Sequence, residues 1–124
     1  TSLEISYKER SGYQNITDIL NYKWSEIFSF IAPLLLENPN NFRVRNKLNE
    51  SLQKRSESNV TELELQDESF EKIKVQFMAL GIIDVKYLKS TGGAMVLFWN
   101  LTDIGKSKML NLLSEKNTQN EGDK

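Results

Sequence analysis

The clearest pattern of hydrophobic and polar positions lies between Asp67 and Thr102, where a helical period is followed by two strand-like runs. In the first part, apolar residues recur at spacings of three and four, which places them on one helical face. These residues are Phe70, Ile73, Phe77 and Leu80. Asp67 can cap the start of the helix, and Gly81 can take the left-handed conformation that ends many helices. The pattern therefore predicts a helix over Asp67–Leu80.

Two apolar runs after this helix predict a β-hairpin. Ile82–Lys89 and Ala94–Leu101 are rich in β-branched and aromatic residues, and the turn sequence Ser90-Thr91-Gly92-Gly93 lies between them. Runs of this kind around a glycine-rich turn are typical of paired strands. The first strand is predicted to carry Ile83, Val85 and Tyr87 on one face. The second strand is almost entirely apolar, so both of its faces are predicted to be covered.

A closing helix is predicted after the hairpin. Thr102 is a suitable N-cap, and Asp103 then lies in the first turn, where an acidic side chain is favourable. The residues predicted on the buried side are Ile104, Met109, Leu112 and Leu113. After Ser114 the chain has no apolar residue. Residues 115–124 are therefore predicted to be a disordered tail.

The first half of the chain predicts two further helices. Apolar residues form a wide stripe over Ile16–Leu36, which predicts a central core helix, and Pro33 is predicted to kink or split this helix near Ala32. A second helix is predicted over Phe42–Arg55. Its apolar residues Val44, Leu48 and Leu52 recur at spacings of four, and its other faces are basic and polar.

Two stretches outside these helices have strand-like alternation. Val60–Leu65 alternates between apolar and acidic residues, so it is predicted to be a half-buried strand that lies against the hairpin as a third strand. Thr1–Tyr13 alternates weakly. Residues 1–15 are accordingly predicted to be either a linker or an edge strand. Because the chain begins with Thr1, it is interpreted as a piece of a larger parent protein.

Two segments around the hairpin carry a resemblance to a known family. Ala79-Leu80-Gly81-Ile82-Ile83 precedes it, and Trp99-Asn100-Leu101-Thr102-Asp103-Ile104-Gly105 closes it. Together with the helix before them, these segments resemble the second half of a winged-helix domain, over about residues 67–113. In that family the helix over Asp67–Leu80 corresponds to the recognition helix, and the hairpin corresponds to the wing.

The resemblance implies an α+β, winged-helix-like fold over residues 16–114. The predicted order is helix-helix-strand-helix-hairpin-helix, with a small antiparallel sheet. In the usual winged helix, two helices follow the first small strand, whereas here only one helix follows it. The second helix must therefore be missing or be supplied by Phe42–Arg55.

Composition narrows the range of possible functions. The 124 residues contain no cysteine and no histidine, and 16 basic and 17 acidic residues give a net charge of −1. Thiolate and imidazole chemistry are thus excluded, and the carboxylates show no converging metal-ligand pattern. We therefore predict a protein with no catalytic residues, no metal, no cofactor and no small-molecule substrate. No apolar run approaches the ~20 residues that span a bilayer, and the predicted location is cytoplasmic.

DNA binding is one functional hypothesis that the resemblance raises. Lysine can neutralise phosphates, and glutamine can read an adenine edge. The candidate nucleic-acid-binding residues are Arg43, Arg45, Lys72, Gln76, Lys86 and Lys89, with Lys74 as a further possibility. Against this hypothesis, the predicted recognition helix begins with Asp67, Glu68 and Glu71, and the net charge supplies no general attraction for DNA.

A protein-interaction module is the hypothesis that the sequence favours. The helical period leaves Val75, Met78 and Ala79 on the outward side of the Asp67–Leu80 helix, and Leu110 is left over on the closing helix. Small apolar patches with polar rims are typical of protein interfaces. The sequence therefore predicts a non-catalytic module in protein interaction or regulation within a larger protein, with a protein partner or a homodimer. A DNA-binding domain of a transcriptional regulator is the alternative.

Overall fold

The structure, a computed structural model, describes residues 2–11, 14–55 and 62–122. Within these ranges the chain forms five strands and four helices. In chain order they are β1 (Ser2–Ser11), β2 (Gln14–Lys23), α1 (Trp24–Leu35), α2 (Asn41–Arg55), β3 (Glu62–Leu65), α3 (Asp67–Ala79), β4 (Ile83–Lys89), β5 (Met95–Leu101) and α4 (Asp103–Gly122). From α1 onward, this order confirms the predicted succession of helices, strand, hairpin and closing helix.

The core is built from α1, α2, β3, α3 and the inward side of the hairpin, with Met109 of α4 added at its edge. Its largest fully buried side chains are Trp99, Phe28, Phe70, Phe77, Ile27, Ile31, Leu35, Leu48, Leu65, Ile73 and Val44. These residues belong to a single core cluster. Those on α1, α2 and α3 recur at helical spacing, as the periodicity predicts. Trp99 joins three elements, because it stacks on Phe70 of α3 and its indole Nε1 donates a hydrogen bond to Asn41 Oδ1 of α2 at 2.9 Å.

The turn from α3 to β4 fixes the position of the hairpin. Gly81 follows α3 with a φ of +74°, the left-handed region that glycine occupies without a Cβ penalty. The N–H of Ile82 then donates to the carbonyl of Phe77, and the Thr102 hydroxyl donates to the Gly81 carbonyl at 2.5 Å. Thr102 also accepts a bond from the N–H of Gly105, so it caps α4 as the sequence predicts.

The N-terminal region differs from the sequence-based interpretation. The segment 16–23 belongs to β2 rather than to a long helix, and α1 begins only at Trp24. β1 pairs with β2 over its whole length, from Ser2 opposite Lys23 to Ser11 opposite Gln14. β1 also lies between β2 and β3, so it is neither a linker nor an edge strand. The cause is non-local strand pairing, which overrides a local pattern compatible with a helix.

Other predicted boundaries and pairings also require correction. β3 pairs with β1, whereas β4 and β5 form a separate two-stranded sheet, so β3 is not a third strand of the hairpin. α1 continues through Pro33 and ends at Leu35, so it is not split near Ala32. A proline in the last turn removes only one backbone hydrogen bond of the helix, so the helix can continue past it. α4 continues to Gly122, so residues 115–122 are helical rather than a disordered tail. No proline interrupts that segment.

Three side chains predicted to face the core are exposed. They are Leu80 (48 %), Ile104 (63 %) and Tyr87 (65 %). Leu80 follows the last residue of α3, and Ile104 lies in the first turn of α4, where no other element covers them. Tyr87 and Met95 (61 %) lie toward the turn of the hairpin, beyond the reach of the helices, so β5 is covered along only part of its length.

Candidate interaction surface

The outer face of α3, formed by its exposed residues, is the surface that sequence analysis points to. These residues are Asp67, Glu68, Glu71, Lys72, Val75, Met78 and Ala79. On the opposite side, Phe70, Ile73 and Phe77 are buried in the core, so the helical phase of the prediction is correct. Gln66 rather than Asp67 occupies the N-cap position, and its side chain makes no capping hydrogen bond. Asp67 and Glu68 lie in the first turn.

The two halves of the outer face of α3 differ in chemistry. Acidic side chains lie at its N-terminal end, where they favourably face the positive end of the helix dipole. Toward its C-terminal end, Val75 is 60 % exposed and Met78 is 45 % exposed. Lys72 and Gln76 lie on α3, exposed and half-buried respectively. Of the candidate cations in the sequence, α3 therefore presents only Lys72 freely to solvent.

Lys74 is not available to bind another molecule. Its side chain is 7 % exposed, its Nζ lies 2.9 Å from Glu71 Oε1, and it also lies 5.2 Å from the centre of the Phe70 ring. Together, the carboxylate and the ring face compensate for the partial burial of this ammonium group. The sequence-based suggestion that Lys74 could contact DNA is therefore not supported by its position.

Two arginines of α2, Arg45 and Arg55, contact other elements of the domain. Arg45 donates to the Leu65 carbonyl at 2.7 Å, pairs with Asp67 at 2.7 Å and lies over the Phe70 ring. It thereby fixes the junction of β3 and α3 against α2. Arg55 lies over the ring of Phe30, with its Cζ 4.7 Å from the ring centre. Arg45 and Arg55 of α2 thus contact other elements of the domain, whereas Lys54 is exposed and pairs with Glu50 of the same helix.

Arg43 occupies a more exposed position near the hairpin. It pairs with Glu37 at 3.3 Å, with nearly half of its side chain exposed. The segment before α2 contacts β5, because the N–H of Trp99 donates to the Pro39 carbonyl at 2.9 Å and Asn40 forms a bridge with Phe98. The structure therefore brings the start of α2 beside the wing, together with Arg43. It does not bring Arg45 into the same exposed surface.

Different effects on stability are expected for the two arginines. Replacing Arg45 with alanine should lower the free energy of unfolding by about 1–2 kcal/mol, because its hydrogen bond to Leu65 is partly buried while its pair with the exposed Asp67 is screened by water. Arg43→Ala is the matched control, with an expected change within about 0.5 kcal/mol because its ion pair is exposed. Urea unfolding of both variants measures the difference, and equal losses would contradict the structural role of Arg45.

The wing carries the remaining candidate cations. Lys86 lies 3.8 Å from Asp84, which is two residues away on the same strand, and both side chains are exposed. Lys89 lies at the end of β4, exposed to solvent. The wing thus presents two lysines and one acid, together with the exposed apolar side chains of Tyr87, Leu88 and Met95.

The closing helix carries the last sequence-predicted candidate. Leu110 is 59 % exposed, whereas Met109 is buried and Leu112 packs partly against the core. Leu113 is 39 % exposed rather than buried as predicted. Beyond its first turn, the described part of the α4 surface therefore offers apolar area to a partner at Leu110 and Leu113, in addition to the exposed Ile104.

Other kinds of site find no support in the described part of the chain. Among these residues, no group of three or more histidine, cysteine, aspartate or glutamate side chains could hold a metal ion. None of the helices in the same ranges is long and apolar enough to cross a membrane. Burial raises the pKa of the Tyr22 hydroxyl above its usual value of 10.0, an effect that Arg55 opposes and Glu26 reinforces. This tyrosine packs against Phe30 and lies apart from the outer face of α3.

Several known structures share this fold. A candidate transcriptional regulator from Thermoplasma acidophilum is 12 % identical, with 79 % of this chain and 86 % of that chain covered and a TM-score of 0.56. A protein from Streptococcus mutans is 11 % identical, with 79 % and 82 % covered and a TM-score of 0.57. A PadR-like transcription factor from Bacteroides fragilis is 18 % identical, with 80 % and 87 % covered and a TM-score of 0.58.

The fold that these similarities define is the winged helix, in agreement with the predicted α+β class. In this fold, α3 occupies the position of the helix called the recognition helix, and the β4–β5 hairpin occupies the position of the wing. No protein-family model matches the sequence, and no curated protein sequence matches it. Similarity of fold at these low identities does not extend to function, which must be argued from the surface itself.

Proposed function

We propose that this winged-helix unit is a non-catalytic interaction or regulatory module whose outer face of α3 contacts a protein rather than DNA. The observation that carries the proposal is the exposure of Val75 and Met78 on the helix that would otherwise enter a DNA groove. Exposed apolar side chains with polar neighbours are typical of protein interfaces. A DNA groove wall lined by phosphates offers such side chains little stabilisation.

Charge supports the same conclusion. Affinity for DNA arises largely from cations that neutralise phosphates and release counterions. At the N-terminal end of α3, the side chains of Asp67, Glu68 and Glu71 would instead repel phosphates. The sequence from Asp67 onward also contains no arginine, so α3 and the wing lack the planar guanidinium group that is best suited to bidentate contacts with guanine.

A second protein contact is proposed on α4. Leu110 and Leu113 are exposed on this helix, and neither belongs to the core cluster. A second copy of the chain is one partner that two such apolar positions would suit. We therefore include a homodimer through α4 among the protein contacts of the module.

DNA binding in a transcriptional regulator remains the second candidate. It is favoured by the similarity in fold to a PadR-like transcription factor and by two exposed lysines on the wing. The start of α2 lies beside the wing and adds Arg43 to this region. Any DNA contact of this kind would use the wing and would leave the outer face of α3 largely uninvolved.

A titration with random-sequence duplex DNA at several salt concentrations separates these candidates. We expect weak binding, with a log–log salt slope close to zero, because α3 presents only one exposed lysine beside several acidic side chains. Lys72→Glu on α3 should behave like the wild type, as should the control Lys106→Glu on α4. Micromolar binding with a steep salt slope that Lys72→Glu weakens would contradict the proposal.

Light scattering on the same samples tests the homodimer. A dimer that becomes monomeric on Leu110→Asp, but not on Lys106→Glu, would support the α4 contact. Both residues are exposed on the same helix, and circular dichroism of the two variants checks that α4 stays folded in each.

A further inference from the structure

A cleft opens between the start of α1, the end of α3 and the first turns of α4. It has a volume of about 460 Å³. Its apolar lining consists of Trp24, Phe28, Phe77, Leu80, Ile82 and Ile104. The sequence does not indicate this cleft, because its apolar pattern predicts that Trp24 lies within a long helix and that Leu80 and Ile104 face the core. Three elements distant in the chain meet to form it.

The openness of the cleft favours a large occupant. Leu80 is 48 % exposed and Ile104 is 63 % exposed, although both line the cleft. A small molecule seated against Phe28 and Phe77 would leave these two side chains in contact with water. A protein segment would both fill the cleft and cover them, which buries more apolar area. Leu80 also follows Met78 by two residues, so the cleft lies close to the apolar end of the outer face of α3.

The charge around the cleft is positive. Lys23 and Lys108 are among its lining residues, both are exposed, and neither makes an ion pair within the described part of the chain. No acidic residue is among the described lining residues; Glu26, the acid in the first turn of α1, is not one of them. α1 also begins at this cleft without a side-chain cap. An occupant that carries carboxylates would therefore complement the cleft.

From this combination we infer that the cleft receives an acidic segment of a partner protein. One large apolar side chain of that segment fills the space between Trp24, Phe77 and Ile104, and neighbouring carboxylates face Lys23 and Lys108. The inference rests on the proposed function as a protein-interaction module and specifies the chemistry of the partner. Aromatic anchors in a pocket with a charged rim are a common form of protein recognition.

Selection from a library of displayed random peptides tests this inference. The immobilised wild-type chain is used for selection, and the enriched peptides are synthesised and titrated by fluorescence anisotropy. We expect them to share a large apolar residue flanked by aspartate or glutamate. Lys108→Glu should weaken their binding about tenfold, because it reverses a charge at the cleft. Lys106→Glu, the matched control on the same helix, should change binding less than about twofold, because Lys106 does not line the cleft.

Ile104→Ser provides a variant that tests the apolar contact separately. The side chain is exposed, so its loss should leave the fold intact while weakening peptide binding. The substitution Leu88→Ser on the wing is its control, since Leu88 is also half exposed but lies outside the cleft.

Each contrary outcome has a distinct meaning. Selected peptides that bind without acidic residues would overturn the inference. Peptides whose binding is unaffected by Lys108→Glu and Ile104→Ser, but is lost on Val75→Asp, would also overturn it. Both outcomes would leave the proposed protein contact at α3 in place. If octanoate, a small apolar carboxylate, binds more tightly than the selected peptides, the cleft is a small-molecule site and the inference is also wrong. Failure to enrich any peptide, together with tight binding of duplex DNA, would overturn both proposals.

Discussion

Replacing Gly105 with alanine is expected to destabilise the domain by about 3 kcal/mol or more. A Cβ at this position would overlap the Ile82 carbonyl oxygen and would lie 3.0 Å from both the Ile82 carbonyl carbon and Leu101 Cδ2. The same carbonyl accepts a hydrogen bond from the N–H of Thr102 at 3.1 Å. Moving α4 away to relieve the overlap would therefore also disturb the junction between the wing and α4.

The expected loss of stability for Gly105→Ala is opposite in sign to the usual effect of this substitution in a helix. In an ordinary helix, glycine-to-alanine substitution stabilises by roughly 1 kcal/mol. Gly92→Ala in the hairpin turn is the control, because the nearest atom to its Cβ is Ser90 Oγ at 3.9 Å. We expect that variant to stay within about 0.5 kcal/mol of the wild type in urea unfolding. A neutral or stabilising Gly105→Ala would show that α4 does not pack this closely against the chain at Ile82.

Replacing Trp99 with alanine is expected to cost about 3–5 kcal/mol of stability. The side chain is fully buried, and its ring stacks on Phe70 with the ring centres 5.7 Å apart. Its loss would leave a cavity between the hairpin, α2 and α3, and would remove the partner of Asn41 Oδ1.

Met95→Ala is the matched control for Trp99 on the same strand. Met95 is 61 % exposed, so we expect a change within about 0.5 kcal/mol when unfolding is followed by circular dichroism. Comparable losses for the two variants would mean that β5 does not present Trp99 to the core.

The sequence predicted the second half of the fold because its signals are local. Gly81 ends α3, the Ser90–Gly93 turn joins the two strands of the hairpin, and Thr102 caps α4. These capping and turn contacts join residues only a few positions apart in the chain, although the Thr102 hydroxyl also donates to the more distant Gly81 carbonyl. Periodicity then identified the buried face of α3, including Phe70 and Phe77.

The N-terminal half was less predictable because pairing there is non-local. The spacing of Ile16, Leu20 and Trp24 is compatible with a helix, but the first two positions lie in β2 and pair with β1. In β3, Leu65 is opposite Tyr7 of β1, more than fifty residues away in sequence. No local pattern specifies such a register, since it depends on which strands meet in the folded chain.

The candidate surface was predictable only in part. The helical phase of α3 placed Val75 and Met78 outward, and both are exposed. The commitment of Arg45 to Leu65 and Asp67, and the meeting of Trp24 with Ile104 at the cleft, depend on tertiary contacts. Charge counted along the sequence could not distinguish a cation that anchors the fold from one that is free to bind.

The most direct test of the central claim is a map of backbone amide chemical shifts during titration with random-sequence duplex DNA at low salt. The claim is that the outer face of α3 contacts protein and does not enter DNA. We expect the amide signals of Glu68–Ala79 to remain in place, even if those around Lys86 and Lys89 on the wing shift. Saturable shifts centred on Lys72 and Gln76 would place α3 in the groove and would contradict the proposed function.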